Sequence, residues 1–164
     1  MFPAPTSFAA RWDTHLRIFT PLICSFIAGL VVFVPSPIIA LWFIKGALLA
    51  LVLGVWAWGP RAYQIQGNEL LVRRWVGSIR IPLSGLSEAR RIPPEELRGA
   101  IRTWAVGFCF GYYGRFLNGF ERQTWYVTDR QSCVRLVCSA GVVVISPSAP
   151  ADFVSALPVV ATRS

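Results

Sequence analysis

Two long apolar runs, separated by a Pro-Ser-Pro break, limit what this chain can fold into. Leu16–Val34 reads LRIFTPLICSFIAGLVVFV, with Arg17 at its edge. Ile38–Trp58 reads IIALWFIKGALLALVLGVWAW, with Lys45 as its internal charge. At a helical rise of about 1.5 Å per residue, roughly 20 residues cross the hydrocarbon core of a bilayer. The Pro35-Ser36-Pro37 connection is too short for anything but an antiparallel pair. The first run is long for a signal-peptide core, and no small-x-small cleavage site precedes the second, so both are expected to be retained helices. Ala28 and Gly29 are expected to let the two helices approach closely. Trp42, Trp56 and Trp58 suit the interfacial ends of the second.

Hydrophobic residues make up 54% of the 164-residue chain and charged residues 15%. The apolar excess lies before residue 60, which favours insertion over a uniformly apolar globule. The chain divides into residues 1–60, a Pro-rich leader and two-helix hairpin, and residues 61–164, one small domain. Arg11 and Arg17 flank the first helix, and Arg61, Arg73 and Arg74 follow the second, while the connecting loop carries no charge. The positive-inside rule then predicts a two-pass inner-membrane protein with both termini and the domain in the cytoplasm. Cys109, Cys133 and Cys138, an odd number in that domain, fit reduced thiols.

Lys45 lies about two turns into the second helix, at a depth where a charge costs a few kcal/mol unless it snorkels or meets a partner. It is a candidate for an intramembrane contact between protomers, and snorkelling to the near interface is the alternative.

After Gly59-Pro60 the period changes to alternation. Tyr63–Gln66, Glu69–Trp75 and Ile79–Leu83, joined at Gly67-Asn68 and Gly77-Ser78, predict an antiparallel meander. Residues 84–101 read equally as a loop or as a helical turn opened by Pro93-Pro94-Glu95-Glu96. Residues 104–120 interleave glycines with aromatics and predict bent strands around a tight reversal. Strands follow at Thr124–Thr128, Cys133–Cys138 and Val142–Ser146. Ser148 and Pro150 then open a short helix, Ala149–Leu157. The fold class is a transmembrane helical hairpin followed by a mainly-β domain with a C-terminal helix.

The segment RTWAVGFCFGYYGRF, Arg102–Phe116, followed by WYVTDR, VRLV and VVVISPSAPADFVSAL, resembles the bacterial pleckstrin-homology-like family, in its branch with membrane helices ahead of the domain. QIQGNELLVRRWVGSIRIPLSGL looks like that family's opening strands. The likeness covers about residues 61–158. Ala105 and Phe108 depart from it, standing where glycine is usual. The resemblance implies two antiparallel sheets closed by the C-terminal helix. It supplies neither a ligand nor a catalytic set, because the fold hosts several binding functions.

Chemistry is sparse. The lone His15 precedes the first helix, so no nucleophile-base pair can be built in the domain. Glu95 and Glu96 are adjacent and point apart. Cys133 and Cys138, five apart on one strand, face opposite sides and do not converge on a metal. No phosphate loop or dinucleotide fingerprint occurs. Neither a cofactor, a metal nor nucleic acid is expected as a partner. The domain holds 13 Arg against seven acids, a net +6. Guanidinium groups grip phosphate, so Arg73, Arg74, Arg80, Arg90, Arg91, Arg98 and Arg102 are the candidates for anionic lipid or an acidic protein partner, membrane-bound or cytoplasmic. The alternative is a row of solvated strand-edge charges.

These observations favour a non-catalytic, membrane-anchored scaffold that self-associates. A sensor of anionic headgroups is the second reading. An enzyme with a pocket walled by Tyr112 and Tyr113 is the third.

Overall fold

The computed structural model describes residues 6–35, 37–107 and 110–158. Helices α1, Thr14–Phe33, and α2, Ile39–Trp58, form the expected hairpin. Both are long and apolar enough to cross a membrane. α2 buries none of its residues and α1 buries Leu16 and Thr20. Phe26, Phe33, Ile39 and Phe43 are more than half exposed. A core helix of a globular domain would instead bury an apolar stripe. Gly29 does not bring the helices together as expected: a Cβ placed there meets nothing within 4 Å.

The polar ends of the hairpin are handled individually. Asp13 caps α1, its carboxylate accepting from the Leu16 amide at 2.7 Å. The last turn of α1 contains no basic residue, yet its carbonyls carry the helix's partial negative charge. Lys45 reaches across from α2 and donates to the Val31 and Val34 carbonyls at 2.8 and 2.6 Å.

The domain begins before the hairpin. Thr6–Ala9 was expected within a leader and instead forms β1, which pairs antiparallel with β2, Ala62–Gln66. Four residues are too few to show a period, and the partner strand lies beyond both helices. Phe8 of β1 packs edge-on against Phe153 at 5.2 Å between ring centroids. β3, Glu69–Arg73, and β4, Ser78–Pro82, complete a four-stranded antiparallel sheet in the order β1-β2-β3-β4.

Residues 84–101, open between loop and helical turn, resolve into a strand and a turn: β5, Glu88–Ile92, then a 3-10 turn at Pro94–Leu97. The Gly/aromatic stretch becomes β6, Ile101–Gly107, and β7, Tyr112–Asn118; Phe108 and Cys109 lie outside the described residues. β8, Glu121–Val127, β9, Cys133–Cys138, and β10, Gly141–Ile145, follow. The second sheet has the order β5-β9-β10-β8-β7-β6. It is antiparallel except where β10 runs parallel to β8. Helix α3, Pro150–Ser155, lies against β5 and β9. Its N-cap is Ala149, without a side-chain cap. The expected cap, Ser148, donates its amide to the Ala9 carbonyl instead.

Two apolar clusters result. One fills the space between the sheets and α3 and contains Tyr63, Leu70, Val72, Leu136, Cys138 and Phe153. The other lies on the opposite face of the second sheet, under the 3-10 turn, with Ile92, Leu97, Phe116, Trp125 and Cys133. The two cysteines of β9 thus serve opposite faces, as their spacing requires. Burial pushes the Cys133 thiol up to about 12, with Asp129 adding to it.

A buried hydroxyl cluster joins both sheets to the start of the hairpin. The Tyr63 hydroxyl donates to the Tyr126 carbonyl at 2.6 Å and lies 3.4 Å from Ser146 Oγ. Ser146 Oγ accepts from the Thr128 and Asp129 amides at 2.8 and 3.2 Å. Thr128 Oγ1 donates to the Arg11 carbonyl at 2.8 Å, and the Asp13 amide donates to the Thr128 carbonyl at 3.0 Å. Burial pushes the Tyr63 phenol up to about 12. Tyr63→Phe orphans acceptors inside the core and should destabilise the full chain by about 1–2 kcal/mol. Chemical denaturation in detergent measures this, and wild-type stability in the variant would show that the cluster contributes nothing.

Candidate functional site

The domain closes over the end of α2. The last carbonyls of a helix have no partner within it. Here the Tyr113 hydroxyl donates to the Val55 carbonyl at 2.7 Å, the Val76 amide to Ala57 at 3.4 Å, and the Gly59 amide to Trp56 at 3.3 Å. Gly111, with φ at 138°, leads directly into β7, which carries Tyr113 to this point. A Cβ at Gly111 would meet the Val127 carbonyl at 3.0 Å, so the close approach requires glycine. Trp75, in the β3–β4 turn, packs on Trp56 at 4.9 Å between centroids, and the Arg61 guanidinium covers Trp75 at 3.7 Å.

Beside this junction a groove of about 890 Å³ opens between α2 and the inner face of β6, β7 and β8. Ala50, Leu51, Gly54 and Trp58 of α2 form one wall. Tyr113 and Tyr126 lie opposite, with Arg74, Arg102 and Trp104 among the other lining residues. Burial pushes the Tyr126 phenol up, outweighing the opposing influence of Arg74 and Arg115.

The seven candidate arginines separate. Arg74 and Arg102 share the groove. The Arg74 guanidinium sits 5.2 Å from the Trp58 ring, and its Nε is buried without a hydrogen-bond partner. Arg73 and Arg80 are exposed on the outer face of β3 and β4, at 3.5 Å from Ser78 Oγ and 3.9 Å from Glu69. Arg91 and Arg98 are exposed elsewhere. Arg90 is committed: Glu96 takes it bidentately at 2.8 and 2.7 Å, and Glu88 binds its Nε at 2.6 Å. Arg135, not among the seven, completes this network by pairing with Glu88 and with Glu121.

The network fixes its own ionisation. Burial raises the Glu88 carboxyl, but hydrogen bonds from Arg135 and Arg90 outweigh it and hold the group below the usual carboxylate range. Arg90 holds Glu96 low as well. Glu96, then Glu88, make Arg90 bind its proton more tightly than usual. Carboxylates depressed in the folded state stabilise it fully above their unfolded values and lose that stabilisation as pH falls through the folded ones. The domain should therefore weaken below about pH 4.5. Arg135→Met should flatten this acid dependence, as pH-resolved unfolding will show; an unchanged profile would place the acid sensitivity elsewhere.

Lys45 lies far from this junction, spending two ammonium hydrogens on α1. Lys45→Met should lower hairpin stability by about 1–2 kcal/mol. Thermal unfolding in micelles tests this, and an unshifted midpoint would leave the ammonium available for the protomer contact that its position first suggested.

Among the described residues no group of His, Cys, Asp and Glu could hold a metal. The groove offers cations, phenols and apolar walls, a set suited to binding an amphiphile or anion. Local periodicity could not reveal it, because its walls come from residues 50–58, 74–79 and 102–126.

The two-sheet sandwich with a C-terminal helix, docked on an apolar hairpin, defines a class of small β domain carried by helices. The chain matches the family model of the bacterial PH domain over residues 61–161, and it belongs to that family. No curated protein and no solved structure shows significant similarity to it. Domains of this family are generally non-catalytic and bind lipids or proteins.

Proposed function

We propose that this protein is a non-catalytic, two-pass scaffold of the inner membrane, with both termini cytoplasmic and a PH domain that holds partners against the bilayer. Residues 1–60 supply the anchor, with Thr6–Ala9 lent to the domain, and residues 61–164 supply the binding surface. The observation that carries this reading is the β1–β2 ladder. It pairs Ala9 with Ala62 and so brings both ends of an exposed apolar hairpin onto one basic domain. Charge asymmetry supports the orientation, since the arginines flank those two ends.

Self-association is part of the proposal. Cβ atoms placed at Gly29 and Gly46 meet nothing, so the hairpin offers small-residue surface to another helix. A second reading, recognition of anionic headgroups by the outer arginines, is favoured by Arg73. Its carbonyl accepts from the Arg61 amide at 2.8 Å, which puts it beside the exit of the hairpin.

Alkaline carbonate should leave the full chain in the membrane fraction, and cross-linking in native membranes should yield a discrete dimer or higher species. Extraction by carbonate would refute the anchor, and a strictly monomeric chain would refute self-association. For the second reading, Arg73→Gln/Arg80→Gln should weaken contact with anionic vesicles at low salt. The full chain is required for each test, because residues 61–164 alone lack β1.

A further inference from the structure

We infer that the groove between α2 and the second sheet is a built site for one anionic phospholipid of the surrounding bilayer. The inference rests on the reading that α1 and α2 span a membrane.

The apolar wall of the groove is the surface of α2 itself, at Ala50, Leu51 and Gly54. An acyl chain can therefore enter sideways from the bilayer without crossing water. The polar end is as specific. Arg74 Nε is buried with no hydrogen-bond partner, and a buried donor left unsatisfied is costly. That nitrogen is enclosed, so a phosphate in the groove would meet the rest of the half-buried guanidinium, whose geometry suits phosphate. Arg102 lines the same groove and adds a second positive charge. No Asp or Glu is among the residues that line it. The carboxylates of Glu88, Glu96 and Glu121 are instead tied to Arg90 and Arg135. Trp58 and Trp104, 55% and 83% exposed, flank the arginines with the amphipathic rings that favour headgroup depth. The groove thus combines cations, aromatic rings and an apolar helix wall, the three chemistries of a phospholipid's headgroup, interface and chain. A soluble acidic peptide would leave the α2 wall unmatched.

Full-length protein, delipidated in detergent, would be titrated with phosphatidylglycerol and with phosphatidylcholine and read by native mass spectrometry. One phosphatidylglycerol per chain should persist, in preference to phosphatidylcholine. Arg74→Gln/Arg102→Gln should weaken this retention by about tenfold or more, the scale of a lost charge-assisted contact. Gly54→Leu fills the groove from a helix position with free space around it and should have the same effect while keeping the helix intact. Arg73→Gln/Arg80→Gln, on the outer sheet face, should leave retention unchanged.

Equal retention of both lipids would overturn the inference, as would an unaffected double variant. Loss of retention in Arg73→Gln/Arg80→Gln to the same degree would assign the lipid to the general basic surface instead. Competition by soluble glycerol phosphate as strong as by the whole lipid would make this a phosphate site and overturn it. A second copy of the chain cross-linked into the groove would do so too. Carbonate extraction of the same preparations separates the two levels: a chain that stays integral but holds no phosphatidylglycerol removes this inference alone, whereas a chain that washes off removes the anchor beneath it.

Discussion

Helix ends carry unsatisfied backbone groups, and the rest of this structure depends on how the domain satisfies them. At the start of α1, Asp13 caps the helix while its own amide is held by the Thr128 carbonyl. At the end of α2, Tyr113 and the Val76 amide take carbonyls that the helix cannot use. Each of these contacts costs the domain a polar group and returns orientation. The hairpin therefore meets the sheets at fixed points rather than through a slack linker. Tyr63, Ser146 and Thr128 make the junction continuous with the core, because their hydroxyls bond to one another and to the Arg11 carbonyl.

The distribution of charge follows from the same arrangement. A basic sequence suggests one cationic face, yet the arginines divide by what lies opposite them. Those near Glu88, Glu96 and Glu121 are neutralised in pairs on the second sheet. Those near the end of α2 find tryptophan rings instead of carboxylates. Cation–π contact uses the face of the guanidinium and leaves its in-plane N–H groups without a carboxylate, whereas a bidentate carboxylate uses them. Net charge alone cannot separate these populations, and position in the fold does.

Much of the architecture was legible in the chain. The hairpin, the meander of β2 to β4, the reversal between β6 and β7 and the C-terminal helix all carry local signals of period or turn chemistry. β1 and β5 did not. β1 is four residues long and is specified by a partner that arrives only after both helices. β5 reads EARRI, with three charged residues in five and no apolar alternation, and its partner β9 lies about 45 residues on, where Arg135 pairs with Glu88. The junction residues were harder still. Tyr113 looked like one aromatic among several until the Val55 carbonyl gave its hydroxyl a task. Lys45 showed itself as a charge needing a partner, and only the geometry of the hairpin identifies α1's last carbonyls as that partner.

The β1–β2 ladder also bears on how the protein is made. β1 leaves the ribosome first and must wait for both helices before β2 appears beside it. On the proposed two-pass reading, a helix that failed to insert would leave the two strands on opposite sides of the bilayer, and the sheet could not close. Its edge would then stay open, and Phe153 would lack the ring that covers it. On that reading, closing the first sheet requires both helices to have crossed, so the completeness of the β-sheet and the topology of the hairpin are coupled.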